Sequence, residues 1–230
     1  MLSQFKEELR SVATKERAKT NEWFFKTGKG KYGEGDTFLG IRMPDLRKIV
    51  KRHLELSFVD IQELINSPFH EERMAGLLVL VYQYEKNKVE KKAIAEFYLK
   101  NTKKINNWDL VDCSSPQTLG LWLVDRDTSV LYKLAKSLNL WERRIAIITT
   151  FAFIRANKFD DTIKISEILL QDKHDLIHKA VGWMLREVGK RDESVLLRFL
   201  DKHYKEMPRT CLRYAIERLS KEQKVHYMKK

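Results

Sequence analysis

The chain has 230 residues, 43% hydrophobic and 33% charged, with nine glycines and four prolines. That is enough apolar material for a substantial core and too little linker-type sequence for a disordered chain. No apolar run of about 18 residues and no signal-peptide pattern is present, so no membrane span is expected and a cytoplasmic protein is. Lysine and arginine outnumber aspartate and glutamate by 44 to 32, a formal charge of +12. Such a balance favours a polyanionic partner without naming it.

Apolar residues recur every three or four positions and strand-like alternation is nearly absent, which predicts an all-α fold. The spacing predicts helices over 2–25, 44–53, 58–65, 71–84, 91–102, and 107–125 with a break near Pro116. Further helices are predicted over 129–137, 141–157, 160–170, 174–190, 193–203 and 209–219. Short polar connections make successive helices antiparallel neighbours. Between the first two lies KTGKGKYGEGD, residues 26–36. Its four glycines do not fit the phosphate-binding G-x-x-x-x-G-K-[ST] pattern and follow no strand. A flexible basic loop is expected there, with Tyr32 as a candidate DNA contact. Cys113 and Cys211 lie far apart without CxxC spacing, and two free thiols are expected.

The second half repeats. Asn107, Trp141, Asp175 and Arg209 each open an amphipathic helical run, at successive spacings of 34 residues. A helix pair of that length cannot bury its apolar face alone. Stacking such pairs gives an α-solenoid with a continuous core and a curved surface. Basic residues recur near the starts of the second helices, at Arg73, Arg143 with Arg144, Lys179, and Arg209 with Arg213. Stacking would bring them into a row suited to a phosphate backbone.

Two clusters stand out. In 174–190, Ile177, Val181, Met184 and Val188 form one stripe, the expected core face. Lys179, Trp183, Arg186 and Lys190 form a second, so Trp183 sits among cations. Packing against their alkyl stems and contact with a nucleic acid both account for it. In INNWDLVDCSS, residues 105–115, Trp108 and Asp112 share one helical face. Asp112 is either an ion-pair partner or a carboxylate kept in a phosphate-binding groove for a chemical reason. His174 and His178 share a face but lack the glutamate of HExxH, and no nucleophile elbow or Cys/His pair is present. No metal and no cofactor are expected.

Taken together, FLGIRMPDLRKI (38–49), NNWDLVD (106–112), WERR (141–144) and KAVGWMLRE (179–187) resemble the AlkD family of DNA glycosylases, built from HEAT-like repeats. The similarity runs along nearly the whole chain. It implies one domain over 1–230, a superhelix of antiparallel HEAT-like helix pairs with a concave basic groove, monomeric and bound to duplex DNA containing alkylated bases. Trp108, Asp112 and Trp183 then match the family's catalytic positions, and Arg144 its arginine at the DNA-facing cleft. Arg143, Lys179, Arg186 and Lys190 join Arg144 and Tyr32 as expected DNA contacts. The resemblance further implies metal-independent hydrolysis of the N-glycosidic bond of N3- and N7-alkylated purines, leaving an abasic site. A noncatalytic protein that recognises distorted or branched DNA is the alternative. Residues 26–36 depart from the family pattern, and no role carries over to them.

Overall fold

The computed structural model describes residues 1–229, which fall into two compact units, one over 1–118 and one over 119–229. As expected, the fold is all-helical. Among the described residues there is no strand, only an isolated bridge between Thr37 and Phe69. No helix of these residues is long and apolar enough to cross a membrane.

The first unit contains α1 (Leu2–Ser11), α2 (Lys15–Phe24), α3 (Met43–Val50), α4 (Phe58–Ile65), α5 (His70–Glu85), α6 (Lys91–Lys100) and α7 (Trp108–Asp112). At its centre is α5, which is buried from His70 through Tyr84. A helix covered all round has to find partners for its polar side chains inside the protein, and the site below is built from those partners. Helices α3, α4, α6 and α7 pack around it. The entry to α4 is a reciprocal cap in which Ser57 Oγ accepts from the Asp60 amide while Asp60 accepts from the Ser57 amide.

The single helix expected over 2–25 is two helices, α1 and α2. Thr14 breaks it by taking an extended conformation, and its side chain accepts from the Arg17 amide at 3.4 Å. The Thr14 amide then donates to the Gly40 carbonyl at 3.2 Å. Gly40 has φ +84°, and a Cβ there would lie 2.1 Å from the Thr14 oxygen. Only glycine allows this approach.

The second unit contains α8 (Leu121–Leu123), α9 (Ser129–Ala135), α10 (Leu140–Thr149), α11 (Phe151–Arg155), α12 (Asp160–Leu169), α13 (Asp175–Arg191), α14 (Glu193–His203), α15 (Arg209–Ala215) and α16 (Lys221–Met228). Helix α9 packs on α10, α12 and α14 pack on α13, and α10, α13 and α15 are successive neighbours. This is the stacking of an α-solenoid. The repeat is visible in the helix starts at Trp108, Leu140, Asp175 and Arg209. The stripe Ile177, Val181, Met184 and Val188 is at most 1% exposed. At about 1.5–3 kcal/mol for each large apolar side chain buried, it anchors α13 firmly.

Three further features differ from expectation. Helix 141–157 is interrupted at Thr150, whose hydroxyl and amide both bond the Ile147 carbonyl. The break near Pro116 becomes a π-helical turn over Pro116–Gly120. Helix α16 was not expected, although Ser220 and Gln223 carry a complete capping box.

Candidate functional site

Helix α7 has only five residues and depends on its surroundings for stability. Leu110 and Val111 are fully buried. The Asn107 side chain accepts from the Trp108 amide at 2.8 Å, and Asp109 accepts from the Leu110 amide at 2.9 Å. Trp108 and Asp112 are thereby held one turn apart, each half-buried.

The N-terminal end of α7 is tied to α5 through a buried polar network. His70 Nε2 lies 2.9 Å from Asp109, and its Nδ1 lies 3.3 Å from Asp36. Asp36 also accepts from Arg73 at 2.6 Å, from Asn107 at 3.1 Å and from Asn106 at 3.4 Å. Burial favours the neutral imidazole, but the Asp109 charge and the hydrogen bonds to both carboxylates outweigh it and raise the His70 pKa to about 9. His70 is therefore an imidazolium at neutral pH, donating to an aspartate on each side. Burial pushes the Asp36 carboxyl up, yet its bonds to His70 and Asn107 and the Arg73 charge hold it below the usual range.

This network gives the glycine-rich segment a structural task. Residues 26–36 form consecutive turns, with Lys31, Glu34 and Asp36 amides donating three residues back, and deliver Asp36 into the interior. Arg73, expected in a row of exposed cations, is 5% exposed because Asp36 neutralises it there. Next along α5, Glu71 accepts from the amides of Leu39, Gly40 and Ile41 at 2.9, 2.9 and 3.2 Å, and from Asn21 at 3.2 Å. That carboxylate explains the FLGI motif, which wraps around it.

An aromatic column fixes the Trp108 ring. Trp108 stacks on Phe25 at 5.4 Å, and Phe25 contacts Phe38 at 5.1 Å and His70 at 4.8 Å. Phe38 and His70 stack at 4.8 Å, adding cation–π stabilisation to the imidazolium. Phe24 meets Trp108 edge-on at 6.0 Å. All of these but Phe38 border a cavity of about 420 Å³ whose walls also include Arg17, Met74 and Asp109. Cys113 also lines it, and burial, reinforced by the Asp109 charge, pushes its thiol up to about 11.

In the second unit, the cationic stripe of α13 carries its charges in pairs. Lys179 bonds Asp175 at 2.7 Å, Lys190 bonds Glu187 at 2.6 Å, and Arg186 bonds Glu217 and Glu187. Trp183 is half-buried, 5.7 Å from the Phe151 ring. Arg143 ties two turns together, bonding Asp172 at 2.6 Å and the Ser137 and Leu138 carbonyls at 2.9 and 3.0 Å. Arg144 is 5% exposed and donates to the Leu176 carbonyl at 2.6 Å, joining α10 to α13. His174 Nδ1 caps α13 by accepting from Leu176, and His178 Nε2 bonds the Asp172 carbonyl. Tyr32 is half-buried in the glycine-rich turns, with the Lys26 ammonium 5.9 Å from its ring centre.

Sequence reasoning therefore located Trp108 and Asp112 on one short helix, and the α13 stripe on another. It placed Asp109 as an ion-pair or helix-entry charge, as found, but it missed Asp36, His70 and Glu71, and it missed Trp23 and Phe24. An acidic residue closing a glycine-rich loop and an acid beside a histidine at a helix start were the available signals for the first group. Adjacent aromatics flanked by lysines were the signal for the second.

The folded chain is an all-helical solenoid-type protein with an aromatic and acidic site beside a buried ion network. The sequence profile of the family described as DNA alkylation repair enzyme matches residues 5–219, and the chain belongs to that family. Its role accordingly lies in DNA alkylation repair. The fold is similar to that of a solved structure described as a predicted DNA alkylation repair enzyme from Enterococcus faecalis. The two share 17% identity at a TM-score of 0.69, covering 91% of this chain and 97% of the other. No curated protein matches the chain.

Proposed function

We propose that this chain is a DNA glycosylase that hydrolyses the N-glycosidic bond of N3- or N7-alkylated purines in duplex DNA. The observation that carries the proposal is the mounting of Trp108 and Asp112 on one short helix clamped by the Asn107 cap and the Asp109–His70–Asp36 network. Catalytic groups need this kind of support to hold their geometry. An alkylated purine is cationic and leaves as a neutral base, so no general acid is required. The burden falls on the sugar, which acquires oxocarbenium character. Asp112 opposes that positive charge and orients the attacking water. Trp108 offers an aromatic face to the deoxyribose, and the family resemblance assigns Trp183 the same task. Of the remaining expected contacts, Lys179, Arg186, Lys190 and Tyr32 act on the phosphate backbone, while Arg143 and Arg144 brace the turns beneath it through Asp172 and the Leu176 carbonyl.

The test is single-turnover release of 7-methylguanine from a methylated duplex in chelator, comparing wild type with Asp112→Asn. Release by wild type alone supports the assignment, with the rate falling by about 10²-fold or more. Release by neither protein, despite salt-sensitive duplex binding, refutes the glycosylase and leaves a noncatalytic DNA-binding member of the family.

A further inference from the structure

Helix α2 buries none of its ten residues, yet it ends in two large aromatic side chains. Trp23 is 81% exposed and Phe24 53% exposed. Single exposed apolar residues are ordinary. Two adjacent aromatics on a helix that contributes nothing else to the core call for a ligand. They form a common wall between two cavities: the one beside Trp108 and a second of about 790 Å³. The second cavity is lined by Lys19, Lys26 and Lys31, with Glu22 among them. Residues 15–32 hold six lysines or arginines against two glutamates.

We propose that Trp23 and Phe24 form a stacking site for an unpaired nucleotide of the bound DNA, with Lys19, Lys26 and Lys31 on the adjoining phosphates. Aromatic faces bracketed by cations are the recurring solution for holding bases without reading their sequence. A paired base inside a duplex has both faces covered by its neighbours. Only a nucleotide out of the stack, as at a distorted or partly opened site, can use such a surface. The platform is also braced: Phe24 leans edge-on against Phe25 at 5.1 Å and against Trp108 at 6.0 Å. An apolar protein partner fits a lining that carries three lysines and a glutamate poorly. The site depends on DNA being a ligand of this chain, as proposed above, but not on glycosylase chemistry.

The experiment titrates the full chain into two duplexes, one fully paired and one carrying a single unpaired 2-aminopurine, with binding and 2-aminopurine quenching read together. Wild type is compared with the Trp23→Ala, Phe24→Ala double variant and with Trp23→Phe. Both side chains are exposed, so neither variant opens a core cavity, and thermal melts verify folding. The expected result is about tenfold weaker binding of the unpaired-nucleotide duplex by the double variant, with quenching lost, and a change below about twofold on the paired duplex. Trp23→Phe retains most of the binding. Equal losses on both duplexes, or none, overturn the stacking site while leaving DNA binding intact. If wild type binds neither duplex, the DNA-binding proposal fails and the stacking site fails with it. Duplex binding without 7-methylguanine release refutes only the glycosylase, and the comparison of variants then still decides the stacking site.

Discussion

Replacing His70 with glutamine should remove a stabilisation that exists only while the imidazole is protonated. In the folded chain the His70 pKa rises from 6.5 to about 9. A group whose pKa is raised on folding contributes fully below its unfolded value and loses that contribution as the pH climbs through the folded value. The window therefore runs from about pH 6.5 to about pH 9. At about 1.4 kcal/mol per tenfold change in proton affinity, the contribution is about 3 kcal/mol. His70→Gln keeps a polar side chain of similar reach but leaves Asp36 and Asp109 facing one another without the cation. Urea unfolding of both proteins, followed by tryptophan fluorescence, measures the difference. With a urea slope of about 2–3 kcal/mol per molar, the midpoint of the variant should lie about 1 M below wild type at pH 6. The gap should close progressively toward pH 9.5. A gap that stays constant across this range would refute a charged His70, because a purely steric loss has no reason to follow the proton.

Two further outcomes test the packing. A Cβ at Gly182 would lie 2.4 Å from the Cys211 carbonyl oxygen and 2.5 Å from the Tyr214 Cβ. Gly182→Ala should therefore push α15 away from α13 and cost about 1–3 kcal/mol, seen as a lowered thermal midpoint; an unchanged midpoint would contradict the close approach. Ser220→Ala removes one half of a capping box and should cost about 1 kcal/mol, with faster amide exchange confined to α16. Exchange that is unaltered there would show the cap to be idle.

The parts of the fold governed by short-range periodicity were legible in the sequence. The α13 core stripe and the regular helix starts of the second half follow from side-chain spacing alone, because a helix with one apolar face has one way to bury it. The break at Thr14 was not legible. Its partner, Gly40, is far along the chain, and the extended residue is fixed by that tertiary contact as much as by its own cap. The site divides in the same way. Trp108 and Asp112 share a face by local spacing, whereas Asp36 reaches His70 across 34 positions and Asn107 across 71. Nor does an arginine near a helix start announce whether it faces solvent. Arg73 meets a buried carboxylate and Arg144 a half-buried carbonyl, and neither partner belongs to the same turn.

The thiol of Cys113 follows Asp112 directly in the chain, and its chemistry bears on how such a protein survives its own working conditions. Cells that need alkylation repair contain electrophiles, and the usual protein target of an electrophile is a thiolate. A sulfur with a pKa of about 11, half-buried and bordered by the Asp109 and Asp112 carboxylates, holds almost no thiolate at neutral pH. Methylating agents that damage DNA therefore find a poor nucleophile beside the candidate reacting carboxylate, and this thiol can persist unmodified in the same chemical stress that calls for alkylation repair.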